Sequence, residues 1–397
     1  MKIIVFCAYF YPHKGGVENY VHELFSGLDK FGDIEVTIVT SNTENTLPYE
    51  YKDGLAIHRL ACWHLLSETY PVIKFSGRRE LRKLDNKNNK DDTHSKDDKD
   101  SKDDKGYDYV ITNTRFFNTT LLGYSFAKRN NIPLIHIEHG TCHSMLTNPF
   151  VRMINESYDH TIGKHIIKNA DKVVCVSIAA QEFVNHLYKR KSSIIYNSID
   201  TAKFKKMSLK DQAQLKKKLG IKDEQVITYA GRLIHAKGVH DLLTAVEDMD
   251  DVKILILGDG NYSPELKRRF SGKKYIYLGK YDSKILIRHL SITDIFVNPS
   301  YSEGLPTTVL EAGAMGLPII ATDVGGTREI IKNEENGFLI RPKDVKTLRD
   351  KINLLIDDKR LCKRFSINIR NDMVSRFDWS IARKRLMDIL KNNIKII

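Results

Sequence analysis

The chain lacks the cysteine patterns that staple small folds or hold zinc. Its five cysteines (Cys7, Cys62, Cys142, Cys175 and Cys362) are odd in number, scattered, and never spaced C-x-x-C. That argues against a disulfide framework or a zinc site and for a reducing compartment. Nor is there any uninterrupted apolar run near the ~18 residues that a membrane span needs. The opening "MKIIVFCAYFYP" is too short for a signal peptide with a cleavage site and ends in Tyr-Pro, so it reads as a first strand. A cytoplasmic protein is expected. Acidic residues are the scarcer charge, 50 against 63 Lys and Arg, for a net charge of +13. Such a surplus favours an anionic partner, whether ligand phosphates, anionic lipid or nucleic acid.

At 397 residues the chain is too long for one comfortable core, and its 41% hydrophobic and 28% charged content is that of a globular protein. "KIIVFCAY", "EVTIVTS", "YDYVITN", "PLIHIEHG" and "KVVCVS" are short continuous apolar runs, which suit strands buried on both faces. Between the first two, Val17, Tyr20, Val21, Leu24, Phe25 and Leu28 recur at helical spacing, giving a βαβ unit. "QVITYAGRL", "VKILILGDG", "KYIYLGK", "DIFVNPS" and "LPIIATD" repeat the plan in the second half. The expected fold is α/β, with two facing doubly wound Rossmann-like domains and the ligand cleft between them. The domains are set at 1–195 and 196–376, with a C-terminal segment at 377–397. One tract does not fit. Residues 87–105 hold seven aspartates, six lysines and no apolar side chain, so a disordered insertion is expected there and its Asp98-x-Asp100 is no metal site.

Several motifs carry chemistry. In "YPHKGGVEN", Gly15 and Gly16 sit at a strand-to-helix turn, where the backbone can approach an anion, although turn chemistry alone also explains them. "YAGRLIHAKG" places Arg232 and Lys237 between a strand and a helix. They can be an exposed strand-end pair, but both lie at the ligand-binding edge, where they can meet a phosphate. His139 follows a buried strand and can hydrogen-bond a substrate hydroxyl or transfer a proton, while His136 inside the strand suits a structural role. His143 is a further neighbour, but three histidines without zinc spacing do not make a metal centre.

"EGLPTTVLE" sets Glu303 and Glu311 on either side of a Gly-Leu-Pro turn. Carboxylates there can accept paired hydrogen bonds from vicinal diols. The N–H groups of Leu305, Thr307 and Thr308, at a helix start, can meet phosphate or hydroxyl oxygens. Diols together with a diphosphate describe a nucleotide sugar.

With these motifs, "NSIDTAKF" and "GGTREII", the chain resembles the retaining glycosyltransferases of family 4, which have the GT-B fold. The resemblance spans nearly the whole chain. It implies that Glu311 binds the donor ribose and Glu303 the donor sugar, and that Arg232 and Lys237 bind the diphosphate. It further implies that Gly16 approaches the diphosphate, that His139 contacts the donor sugar, and that the C-terminal helix crosses back to the first domain. No metal and no cofactor beyond the nucleotide-sugar substrate are implied.

The expected activity is metal-independent hexosyl transfer to a glycan or lipid-linked acceptor, in polysaccharide or glycolipid synthesis. The alternatives are a sugar-nucleotide epimerase or phosphorylase on the same fold, or a polyanion binder. No nucleic-acid motif appears, so nucleic acid is not an expected partner. "KFSGRRELRKL" (74–84) carries Phe75, Leu81 and Leu84 among Arg78, Arg79, Arg82 and Lys83. It suits either a helix lying on the anionic inner face of a membrane or a solvated helix.

Overall fold

The computed structural model describes residues 1–13, 15–65, 70–86, 106–141, 153 and 156–392. The 87–105 tract, Cys142 and His143 lie outside the described residues. The chain divides into two compact units, Met1–Tyr196 with Ala382–Ile397, and Asn197–Ile381.

In the first unit the strands are β1 (Lys2–Phe6), β2 (Glu35–Ser41), β3 (Tyr49–Lys52), β4 (Leu55–Leu60), β5 (Cys62–Leu65), β6 (Tyr70–Ile73), β7 (Tyr109–Asn113), β8 (Leu134–Glu138), β9 (Lys172–Cys175) and β10 (Ser193–Ile194). The five apolar runs of the first half form β1, β2, β7, β8 and β9, and their interiors are buried. Among the described residues the main sheet runs β10-β9-β8-β7-β1-β2-β4-β3, parallel except at the β3 edge. β3 and the antiparallel β5–β6 ribbon escaped the sequence reading. "YEYK" in β3 has no fully buried residue, so no apolar run marks it.

The helix Gly16–Phe25 buries Tyr20, Val21, Leu24 and Phe25. Each such side chain contributes ~1.5–3 kcal/mol by leaving water. Leu28, which continued the helical spacing, lies beyond the end of this helix in a 3-10 turn and is buried as well. β1 has β2 on one side and β7 on the other, so the strand order reverses beside it. Chain leaving the carboxyl ends of β1 and β7 therefore diverges, and a crevice opens between the two exits.

The second unit repeats this plan. Its strands β11 (Gln225–Ala230), β12 (Val252–Leu257), β13 (Tyr275–Gly279), β14 (Ile295–Asn298), β15 (Ile319–Thr322) and β16 (Phe338–Ile340) run β13-β12-β11-β14-β15-β16, all parallel. The reversal here lies between β11 and β14. The helix Thr307–Ala314 packs closely on the helix Lys359–Arg376. A Cβ at Gly313 would meet Ile369 at 2.9 Å and Met373 at 3.1 Å. Any side chain there would push the helix carrying Glu311 off its support.

The last helix, Trp379–Lys391, starts in the second unit, where Asp378 accepts from the Thr201 hydroxyl at 2.6 Å. From Ala382 on it groups with the first unit. There Arg383 donates to the Glu23 carbonyl at 2.6 Å, and the Tyr109 hydroxyl donates to the Leu390 carbonyl at 2.6 Å.

Candidate active site

In the second unit a cavity of about 230 Å³ opens at the reversal between β11 and β14. Arg232, Lys237, Glu303, Thr307 and Thr308 all line it. Lys237 Nζ donates to Glu303 Oε1 at 2.7 Å, a pair separated by 66 residues in sequence. Two ties bring them together. Tyr301 N donates to the Ala236 carbonyl at 2.9 Å, and the Tyr301 hydroxyl donates to Asp241 Oδ2 at 2.8 Å. Arg232 is exposed, with no side-chain partner among the described residues. The Tyr229 hydroxyl donates to its carbonyl at 3.0 Å and fixes the turn.

The "GGT" stretch acts on Glu303 from behind. Gly325 has φ +50°, and a Cβ there would lie 1.8 Å from the Glu303 carbonyl oxygen. Only glycine allows both that conformation and that approach. Gly326 N donates to the Gly304 carbonyl at 2.7 Å, completing the brace.

The helix Thr307–Ala314 starts after Pro306 with no side-chain cap, so the N–H groups of its first residues face the pocket uncapped. Leu305 lies just before this cap. Glu311 sits in mid-helix. Its carboxyl is partly buried, without a hydrogen bond or cation among the described residues, and burial pushes it up to about 8. Tyr281 lines the cavity close to Glu311; its hydroxyl is raised by burial first and by the Glu311 charge second. Asn298 was not singled out in the sequence. Asn298 also lines the cavity, and its Nδ2 is buried without a partner. The clue was its place at the end of "DIFVNPS".

In the first unit, His139 stands just past β8. Asn113 Nδ2 donates to the Phe6 carbonyl at 3.3 Å, which leaves Asn113 Oδ1 to accept from His139 Nε2 at 3.2 Å. The proton is thus assigned to Nε2, and Nδ1 is an acceptor. Burial drives this imidazole down to about 4, with Glu138 opposing, so it is neutral near pH 7.

Behind it lies a fully buried charge cluster that the sequence did not reveal. Arg115 donates to Glu138 Oε1 at 3.0 Å and to both Asp159 oxygens at 2.9 and 3.0 Å. Burial alone would raise the Glu138 carboxyl, but Arg115, His136 and the Gly140 N–H together hold it at about 2. Gly140 N donates to Glu138 Oε1 at 2.7 Å, so the cluster pins the turn that carries His139. His136 is fully buried between Thr112 and Glu138, a structural place.

Gly15 and Gly16 differ. A Cβ at Gly15 would lie 2.3 Å from Glu18 Oε2, whereas one at Gly16 meets nothing within 4 Å. The first glycine makes room for Glu18 and the second leaves open backbone. Among the described residues no group of three His, Cys, Asp or Glu side chains is placed to hold a metal ion.

Residues 14–203 match the family model described as Glycosyltransferase Family 4, and residues 211–372 match that of Glycosyl transferases group 1. The chain is a family 4 glycosyltransferase. An uncharacterized glycosyltransferase of Methanocaldococcus jannaschii is 27% identical over 98% of this chain and 98% of its own. The UDP-Gal:alpha-D-GlcNAc-diphosphoundecaprenol alpha-1,3-galactosyltransferase of Escherichia coli is 29% identical over 68% of this glycosyltransferase and 72% of its own length. Among solved structures, Anabaena HepE in complex with UDP superposes with a TM-score of 0.76 at 19% identity, covering 99% of this chain and 100% of that one. The likeness identifies the GT-B fold, with its two Rossmann-like domains.

Proposed function

We propose that this glycosyltransferase moves a hexosyl group from a nucleotide sugar to a glycan or lipid-linked acceptor, with retention at the anomeric carbon and without a metal. The observation that carries this reading is the second-unit cavity. There Arg232 and Glu311, both without a partner among the described residues, are gathered with the Lys237–Glu303 pair and the uncapped helix start. Arg232, Lys237 and the N–H groups of Leu305, Thr307 and Thr308 meet the diphosphate. Glu311 accepts from the ribose diol, and Glu303 accepts from hydroxyls of the transferred sugar. His139 accepts a sugar hydroxyl through Nδ1, and the open backbone at Gly16 takes a phosphate oxygen. Charge grows on the leaving diphosphate in an oxocarbenium-like transition state, so fixed cations supply the main stabilisation. The E. coli relative, whose name couples UDP-galactose to a diphosphoundecaprenol acceptor, supports a cell-surface glycan or glycolipid product. The names of the relatives favour a transferase over an epimerase or a phosphorylase.

A thermal-shift screen over UDP-galactose, UDP-glucose, UDP-N-acetylglucosamine and GDP-mannose tests the donor. At a hundredfold excess over its dissociation constant the true donor should stabilise the fold by ~2.7 kcal/mol, and Glu311→Ala should abolish the shift. If no nucleotide sugar shifts the wild type, the reading fails. Loss of transfer on adding EDTA would refute the metal-free chemistry.

We further propose that the first unit rests on an anionic membrane face through the helix Phe75–Asn86. Leu81 is buried and Leu84 packs on the core, so they are not available to lipid, unlike the sequence expectation. Phe75 is 71% exposed, meets the half-exposed Trp63 edge-on, and carries the Arg78 guanidinium over its ring. Arg79 and Arg82 are exposed too. An exposed aromatic pair among arginines suits an interfacial anchor, each cation near the surface adding ~1 kcal/mol. Co-sedimentation with anionic but not neutral vesicles, lost in Phe75→Ser and in Arg78→Ser with Arg79→Ser, is expected. Recovery in the supernatant with both lipids would remove the membrane claim. No described helix is long and apolar enough to cross a membrane.

A further inference from the structure

Behind the Lys237–Glu303 pair lie His240 and Asp241, in the first turn of the helix Val239–Ala245, and Tyr301, on the segment that leads to Glu303. The Tyr301 hydroxyl has a single proton and gives it to Asp241 Oδ2 at 2.8 Å. His240 Nε2 lies 2.9 Å from the same hydroxyl oxygen and 3.3 Å from Asp241 Oδ1, both of which are then acceptors. Nε2 therefore carries the imidazole proton, and His240 is the donor that closes the triad. We propose that His240, in this neutral form, is a positioning residue for glycosyl transfer: it locks Tyr301 onto Asp241, and Tyr301 in turn fixes Lys237 and Glu303. The inference rests on the glycosyl-transfer reading above.

The lock reaches the pair through the backbone. Tyr301 N donates to the Ala236 carbonyl at 2.9 Å, and Asp241 N donates to the Gly238 carbonyl at 2.9 Å, so both neighbours of Lys237 are tied. Gly238 has φ +60°, and a Cβ there would overlap the Pro299 carbonyl oxygen and lie 3.1 Å from the Tyr301 ring. Backbone packed this closely on the 299–301 segment passes a shift of Tyr301 on to Lys237 instead of absorbing it. Glu303 lies on the same segment, so one displacement misplaces both partners of the pair.

The second ring nitrogen makes the lock sensitive to protonation. His240 Nδ1 is buried and has no hydrogen-bond partner among the described residues, so a proton added there would meet no acceptor. The groups facing the ring are of mixed character. His235 stacks on it at 4.9 Å, and Tyr262 and Tyr301 meet it edge-on at 5.7 and 5.9 Å. Burial holds this imidazole below its ordinary 6.5; Asp241 and Glu265 oppose that, and His235 and Arg269 add to it. The lock is therefore closed at neutral pH. The imidazolium needs an acceptor at Nδ1, and turning the ring to find one breaks the bond to Tyr301.

Two measurements on the full chain test this. In the ligand-free protein the Lys237 ammonium is followed by proton–nitrogen correlation NMR, assigned by its loss in Lys237→Met. Tyr301→Phe and His240→Phe should each move this signal. His240→Gln, whose amide keeps an N–H near the place of Nε2 and cannot ionise, should leave it where it is. Turnover is read as nucleotide release from UDP-galactose, UDP-glucose, UDP-N-acetylglucosamine and GDP-mannose. Tyr301→Phe and His240→Phe should lower kcat by about tenfold or more and change KM by less than about threefold. The His240→Gln rate should match the wild type near about pH 8 and exceed it on the acid side of pH 6.5, where only the wild type loses the lock. The ratio of these two rates cancels the Glu311 ionisation common to both.

A Lys237 signal that is invisible in the wild type, or unmoved in Tyr301→Phe and His240→Phe, overturns the lock. An unchanged kcat beside a lowered melting temperature would leave these residues merely structural and overturns it too, as does an acid limb that persists in His240→Gln. If the wild type binds none of these donors, the transfer reading falls, while the Lys237 signal still decides the lock.

Discussion

Replacing Glu311 with glutamine should make the ligand-free protein more stable at neutral pH and remove much of its pH dependence. The Glu311 carboxyl is partly buried and unpaired among the described residues, and burial lifts it from the ordinary 4.5 to about 8. A folded-state value above the unfolded one means that the folded chain holds the proton more tightly. The cost of ionising Glu311 is therefore absent below about pH 4.5, grows as pH rises, and is complete above about pH 8. At pH 7 the gap from the ordinary value is about 2.5 pH units, and at 1.36 kcal/mol each this costs about 3 kcal/mol. Glutamine keeps the shape and never ionises. For a unit of this size the melting temperature should rise by about 6–12 °C at pH 7, with little change at pH 5. Scanning fluorimetry on wild type and Glu311→Gln from pH 5 to about pH 9 reads the difference directly. Saturating nucleotide should flatten the wild-type slope, because ribose hydroxyls are proposed to donate to the ionised form. Parallel curves for the two proteins across this range would refute the claim that burial without a partner raises the Glu311 carboxyl.

Loss of Arg232 or Lys237 should lower kcat more than it raises KM, since both are proposed to meet charge that grows on the leaving group; a rise in KM alone would make them ground-state binders. Arg115→Met should cost about 3–5 kcal/mol in chemical denaturation, because it leaves Glu138 and Asp159 buried without their cation. A loss under about 1 kcal/mol would show that water reaches the cluster. Gly325→Ala should lose about 1–3 kcal/mol and most of the turnover, since its Cβ would lie 1.8 Å from the Glu303 carbonyl oxygen. Gly16→Ala, whose Cβ meets nothing within 4 Å, should keep wild-type stability. Equal melting temperatures for these two glycine variants would contradict the brace behind Glu303.

The strands and the βαβ alternation could be read from the chain because they depend on local pattern. A strand buried on both faces must be a continuous apolar run, and "VKILILGDG" or "KVVCVS" has few other stable readings. Edge strands such as β3 gave no such signal, since one of their faces is in water. The residues of the second-unit cavity were legible by type: an Arg and a Lys after a strand, carboxylates around a Gly-Leu-Pro turn, and a glycine pair behind them. Their assembly was not. Strand order decides that β11 lies beside β14, and so that Lys237 reaches Glu303 across 66 residues. The depth of Arg115 was hidden too, because "TNTRFF" looks like an exposed turn until Glu138 and Asp159 are brought to it from two other segments. Leu81 and Leu84 pack inward rather than facing lipid, since the sheet below their helix offers a larger apolar surface. Local sequence sets which segments are strands or helices and which groups they carry. Only the packed sheets bring charges and hydroxyls from distant segments close enough, and dry enough, to change one another's chemistry.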